Sequence, residues 1–186
     1  MVGSVSVVCP TRRKLILGLG GLAAYSVAPK KSKANQNMLG MRNLGFYNIH
    51  TREYDQGSYW VDGFYQPDML DSFSHILRDH RQNLAAPMDR RLFDLLYKLK
   101  ETLNVSEEFH IISGYRSPKT NQMLASRSSA VAKKSYHMRG RAIDIAIPSI
   151  KLSHVREAAL SLKLGGVGYY PKSGFIHLDT GPIRRW

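Results

Sequence analysis

Only one cysteine, Cys9, occurs in the 186 residues, which excludes an internal disulfide framework and any multi-cysteine zinc site. Long hydrophobic runs are also missing. The longest, Leu15 to Ala28, is interrupted by glycines and falls well short of the ~20 residues a membrane-spanning helix needs. Acids are scarce, with 14 Asp and Glu against 27 Lys and Arg and a formal net charge of +13. Such an excess invites a nucleic-acid reading. Its location weakens that reading, because Arg12, Arg13, Lys14, Lys30, Lys31 and Lys33 all lie in residues 1–34, which hold no acid. The remaining positive charge is spread thinly, without a basic run, and no nucleic-acid partner is expected. Internal repeats and low-complexity tracts are absent too.

What residues 1–34 do contain has the order of an export signal. A basic start at Arg12–Lys14 precedes a short apolar stretch, followed by Ser32-Lys33-Ala34 as a small-x-small cleavage site. The paired arginines resemble a twin-arginine signal, which predicts a periplasmic protein. An uncleaved leader would be its only means of membrane attachment. Cys9 precedes the arginines, so it is not placed as a lipid-attachment cysteine and reads as inert.

After a tether at 35–41, residues 42–186 are long enough for one domain with a core of ordinary size, expected to act as a monomer. Residues 42–65 alternate polar and apolar positions, which predicts a β-hairpin turning at Asp55-Gln56-Gly57. Helical spacing follows Pro67 and again runs from Asp89 to Leu103, where Leu92, Leu95, Leu96 and Leu99 share a face. Strands are expected at Phe109–Ser117 and Ala142–Pro148, and two more within Gly165–Gly181. Shorter helices are expected at Thr120–Arg127 and Leu152–Leu164. The pattern is α+β, with a mostly antiparallel sheet and flanking helices.

Chemistry concentrates in three short blocks. In the stretch Ser135 to Ile145, SYHMRGRAIDI, His137 and Asp144 are seven positions apart with Gly140 between them. Two ligands of one metal would explain this, and so would a surface histidine followed by an ordinary strand. Asp144 stands between isoleucines, where a lone charged carboxylate is costly to bury without a partner. A third candidate, His177 in FIHLD, is also flanked by apolar residues. Two imidazoles and a carboxylate form a ligand set that leaves zinc a free position for water. His75, His80, His110 and His154 read as structural histidines.

These blocks, together with SGYRSPKTN at Ser113–Asn121 and GGVGYYPKSGFIHLDTG at Gly165–Gly181, resemble a superfamily of zinc peptidases. It contains D-alanyl-D-alanine carboxypeptidases, phage L-alanyl-D-glutamate endopeptidases and hedgehog domains, and the likeness is strongest to its exported murein endopeptidases. The resemblance implies a hedgehog/D-Ala-D-Ala-peptidase-like fold and one zinc per chain on His137, Asp144 and His177. It further implies a peptidoglycan substrate, and Arg116 holding a scissile carbonyl oxygen or a substrate carboxylate. Many relatives carry an acidic base three residues before the last histidine, where this chain has Gly174. Asp179 then becomes the candidate base, since positions i and i+2 of a strand share a face, or else the orienting partner of a ligand histidine. Tyr170 and Ser135 are candidate substrate or supporting contacts. Hydrolysis of murein cross-links or stem peptides is the expected activity. A murein carboxypeptidase and a non-catalytic, zinc-containing cell-wall binding module are the alternatives.

Overall fold

A computed structural model describes residues 40–128 and 131–186. The leader with Cys9 and the twin arginines, and the tether up to residue 39, lie outside the described residues. No helix among the described residues is long and apolar enough to cross a membrane.

Among the described residues, eight strands form one sheet in the order β3-β2-β1-β4-β5-β7-β6-β8. The first three are β1 (Met41–Asn48), β2 (Tyr54–Val61) and β3 (Phe64–Tyr65). The expected hairpin exists, but Asp55-Gln56-Gly57 is not its turn: those residues run on within β2. The chain reverses earlier because the Asn48 side chain accepts the His50 and Thr51 N–H groups, after which Arg52 takes a left-handed φ of 61°. That local side-chain bond sets the register before the glycine is reached.

Helices α1 (Pro67–Ile76) and α2 (Arg90–Leu103) follow. Pro67 starts α1 at a position where a missing N–H costs nothing. Asp89 caps α2 by accepting the Arg91 N–H, and Asn104 ends it in the left-handed conformation. With two helices between them, β1 and β4 (Phe109–Ser113) pair in parallel. Strand β8 (Arg184–Arg185) also runs parallel to its neighbour β6 (Gly166–Tyr170). The sheet is therefore mixed, which corrects the expectation of a mostly antiparallel one. Alternating polar and apolar residues specify a strand face but not the direction of its neighbour.

The core fills the side of the sheet that the helices cover. Phe46 of β1 meets Phe73 of α1 edge-on at 4.8 Å and lies 6.3 Å from Phe93 of α2. Helix α4 (Leu152–Leu162) adds Val155 and Ala159. Ile143 and Ile145 of β5 (Ala142–Ala146) and Ile176 and Leu178 of β7 (Phe175–Asp179) are buried in this core. The period of two then sends Asp144, His177 and Asp179 to the other face. Register makes neighbours of them: Asp144 pairs with His177, and Ala142 with Asp179. Helix α3 (Pro118–Arg127), capped by Ser117, follows the Arg116 turn.

Candidate metal centre

His137 reaches the sheet face from a 3₁₀ turn, Tyr136–Arg139. Ser135 caps that turn by accepting the His137 N–H, and Gly140 closes it with a φ of 62°. A Cβ on Gly140 would come within 2.3 Å of the Pro87 carbonyl oxygen, so glycine is required there both for conformation and for space. The turn leads directly into β5 and Asp144.

The three candidate ligands converge. His177 Nδ1 lies 2.8 Å from Asp144 Oδ1 and 3.2 Å from His137 Nε2, while His137 Nε2 is 3.3 Å from Asp144 Oδ1. Tetrahedral ligands at ~2.0–2.1 Å from zinc stand ~3.3 Å apart, so the spacing suits that ion. The outer nitrogens are committed elsewhere. His137 Nδ1 faces the Gly114 carbonyl at 2.7 Å and therefore donates. That leaves Nε2 as an acceptor, which agrees with the Arg116 Nη2 approaching it at 3.2 Å. His177 Nε2 donates to Asp179 at 3.0 Å, leaving Nδ1 to face the centre. The opposite nitrogens of two rings thus aim at one point beside a carboxylate oxygen, where a cation is needed to offset three electron-rich atoms.

The electrostatics agree. Burial alone would raise the Asp144 carboxyl, but His137 and His177 beside it hold it far below the usual carboxylate range. Burial pushes His137 down against the pull of Asp144. Burial would also lower His177, yet carboxylates on both of its ring nitrogens move it up. The site thus favours positive charge at His177 Nδ1, supplied by a proton or a metal.

Arg116 sits on the second oxygen of Asp144, with Nη2 2.6 Å from Oδ2 and Nε 2.9 Å from the Ser113 hydroxyl. Only 13% of its side chain is exposed, so its first task is to hold Asp144. It still borders the cleft over the site, a cavity of about 530 Å³. Ser135 and Tyr170 border it as well.

Asp179 shares the face of His177, as the strand period requires, but its surroundings are those of a support. It is fully buried, and Arg184 grips both of its oxygens at 3.0 and 2.6 Å. The Gly181 N–H donates to it at 2.8 Å. Against the cost of burial, His177 and Arg184 hold its carboxyl well below the usual range. Among the described residues bordering the cleft, Asp144 has the only carboxylate side chain. Gly174, three residues before His177, has a φ of 74° with open space around it. A side chain there would strain the turn between β6 and β7.

Sequence reasoning missed Arg184, Trp186 and the Gly114 carbonyl. Arg184 and Trp186 follow the last motif and enter the site only because β8 pairs beside β6. A backbone carbonyl leaves no mark in a residue pattern. His75, His80, His110 and His154 do not border the cleft, and His80 instead stacks on His50 at 4.1 Å.

A family model described as peptidoglycan L,D-endopeptidase MepK matches residues 36–186. The chain is 44% identical over 176 residues to the peptidoglycan L,D-endopeptidase MepK of Escherichia coli, covering 94% of this chain and 96% of that protein. It is 42% identical over 172 residues to the probable peptidoglycan L,D-endopeptidase MepK of Haemophilus influenzae, covering 91% and 92%.

Proposed function

This chain belongs to the peptidoglycan L,D-endopeptidase MepK family, and from that premise we propose that it hydrolyses peptide bonds of peptidoglycan as a zinc metallopeptidase. His137 Nε2, Asp144 Oδ1 and His177 Nδ1 would hold one zinc per chain. The observation that carries this reading is the convergence of those three atoms, with both outer imidazole nitrogens already engaged. Zinc held there supplies a Lewis acid that polarises a carbonyl and acidifies water, so neither a serine nor a cysteine nucleophile is required.

The protein's own groups divide the remaining work. Asp144 offers one oxygen to the metal side and the other to Arg116, whose guanidinium fixes its rotation. Arg116 also borders the cleft, where it faces a substrate carbonyl or carboxylate. Asp179 keeps the Nε2 proton on His177 and so keeps Nδ1 free to bind. Its burial and its grip by Arg184 support this positioning role over that of the general base. Ser135 and Tyr170 border the space a peptide would occupy. We further place the mature protein in the periplasm, exported by the twin-arginine route. Lysine at both Arg12 and Arg13 should strand it in the cytoplasm, whereas unchanged periplasmic recovery would refute the route.

One observation favours a second reading, a zinc-containing module that binds cell wall without turnover: apart from Asp144, no described acidic side chain borders the cleft. Incubating the purified protein with cross-linked muropeptides, with and without a chelator, separates the two. Cleavage products by mass that vanish with chelator support the peptidase. Binding with no product supports the module.

A further inference from the structure

The side of the cleft that carries His177 is aromatic. The parallel pairing of β8 on β6 continues through Trp186, whose N–H donates to the Val167 carbonyl at 3.3 Å. The Trp186 carbonyl in turn accepts the Tyr169 N–H at 3.0 Å. These bonds set Trp186 beside Gly168, the residue paired with His177. A Cβ on Gly168 would meet three indole atoms at 2.8, 2.8 and 2.9 Å. Gly168 has no positive φ, so the glycine serves the ring that lies across the strand.

The indole is held from several directions. Its N–H donates to the Tyr170 hydroxyl at 2.7 Å, and the Arg184 guanidinium covers the ring at 4.9 Å. Its centroid is 5.3 Å from the His177 imidazole. Tyr170 stacks on Phe175 across the hairpin at 4.6 Å. All of these residues border the cleft, yet Trp186 remains 49% exposed. A fixed, rigid and half-exposed tryptophan beside a metal ligand offers apolar area that a bound ligand would remove from water.

We infer that Trp186, with Tyr170 and Phe175, forms the subsite for an unbranched aliphatic side chain of the peptide residue next to the scissile bond, and that Trp186 sets specificity there. This rests on the cleft being a peptidase site. A linear stem lies along a flat ring with each methylene in contact, whereas a β-branched chain touches it at one point. Elsewhere the cleft presents Arg116 and Lys134, suited to the polar and anionic groups of the same peptide.

The test compares two muropeptides, one with a long linear side chain next to the scissile bond and one with alanine in that place. Wild type should prefer the first by at least ~10-fold in kcat/KM. Trp186→Ala should bring the preference close to unity, mainly through KM, while zinc content is unchanged. Trp186→Phe should keep most of it. Gly168→Ala, which pushes the ring off the strand without deleting it, should also reduce it. A preference retained in Trp186→Ala overturns the subsite, and so does zinc loss in both Trp186 variants, which would mark a structural role. If wild type leaves both muropeptides intact with zinc bound, the peptidase reading fails separately. Fluorescence quenching by the long-chain muropeptide, seen in wild type and absent in Trp186→Phe, then still supports the subsite; its absence overturns it.

Discussion

The half of the molecule built on β1, α1 and α2 and the half built on β5 to β7 solve opposite problems on one sheet. In the first, Phe46, Phe73, Phe93 and Phe109 bury their rings almost completely and meet as tilted or edge-on pairs. Each such pair adds ~0.5–1.5 kcal/mol beyond its buried area. In the second, the strands keep an apolar face toward α4 but place Arg116, His137, Asp144, His177 and Asp179 on or against the other face, largely out of water. Burying charge is costly even when it is paired. The first half therefore supplies stability, and the second uses some of it to hold a prearranged charge cluster.

The sharpest way to break this contrast is to apply a similar stability loss to each half. Asp144→Asn removes the carboxylate shared by Arg116, His137 and His177, and breaking a buried pair costs about 3–5 kcal/mol. It should also abolish zinc binding and muropeptide cleavage. Phe93→Ala should cost about as much, ~3–5 kcal/mol, by leaving a cavity between α2 and β1. Zinc content and kcat should then stay near wild type wherever the protein is folded. Denaturant midpoints beside metal analysis decide the matter. Zinc loss in Phe93→Ala, or full zinc in Asp144→Asn, would erase the distinction.

A finer probe lies inside the charged half. If Asp179 fixes the His177 tautomer, Asp179→Asn should weaken zinc affinity roughly 10- to 100-fold, and added zinc should restore most of the rate. Turnover that stays depressed by ~10²- to 10⁴-fold at full zinc occupancy would return Asp179 to proton transfer. Arg116→Ala is the companion measurement. It releases Asp144 without touching Asp179, so similar zinc titrations in the two variants would mean that support is shared across the cluster.

The two halves also differed in how far their sequences could be read. Helix α2 was plain, because four leucines at helical spacing are a local signal. His137, Asp144 and His177 stood out as polar residues set in ordered motifs, and the fold does bring them together. The hairpin turn was misplaced because a side-chain bond from Asn48 outranked a nearby glycine. The direction of β4 and β8, the Gly114 carbonyl and the grip of Arg184 on Asp179 were not legible. Each depends on which segments become neighbours, a property of tertiary pairing that no window of sequence contains. Asp179 shows the limit best: its face followed from strand period, but the donors that occupy it came from β8 and from backbone.

The smallest expected effect tests whether titration within the apolar half is independent of the metal centre. His80 stacks on His50, and His50 Nε2 reaches the Ile112 carbonyl at 3.0 Å. Burial, His50 and Arg81, with a weaker push from Arg78, lower the imidazole of His80 to about 4 against the opposing pull of Asp79. Because this folded-state value lies below the usual 6.5, the unfolded chain takes up the proton first as pH falls. The stability tied to neutral His80 is thus complete above about 6.5, declines between there and about 4, and is gone below. The ring is only partly shielded, so the loss should not exceed ~1 kcal/mol. His80→Gln should flatten that part of the curve, measured as urea midpoints from pH 7 to 4 with chelator present in both proteins so that the proposed zinc ligands contribute equally. Parallel curves for variant and wild type would show that neutral His80 contributes nothing to the slope, which would then belong to other groups such as Glu53, whose carboxyl Arg78 holds below its ordinary value.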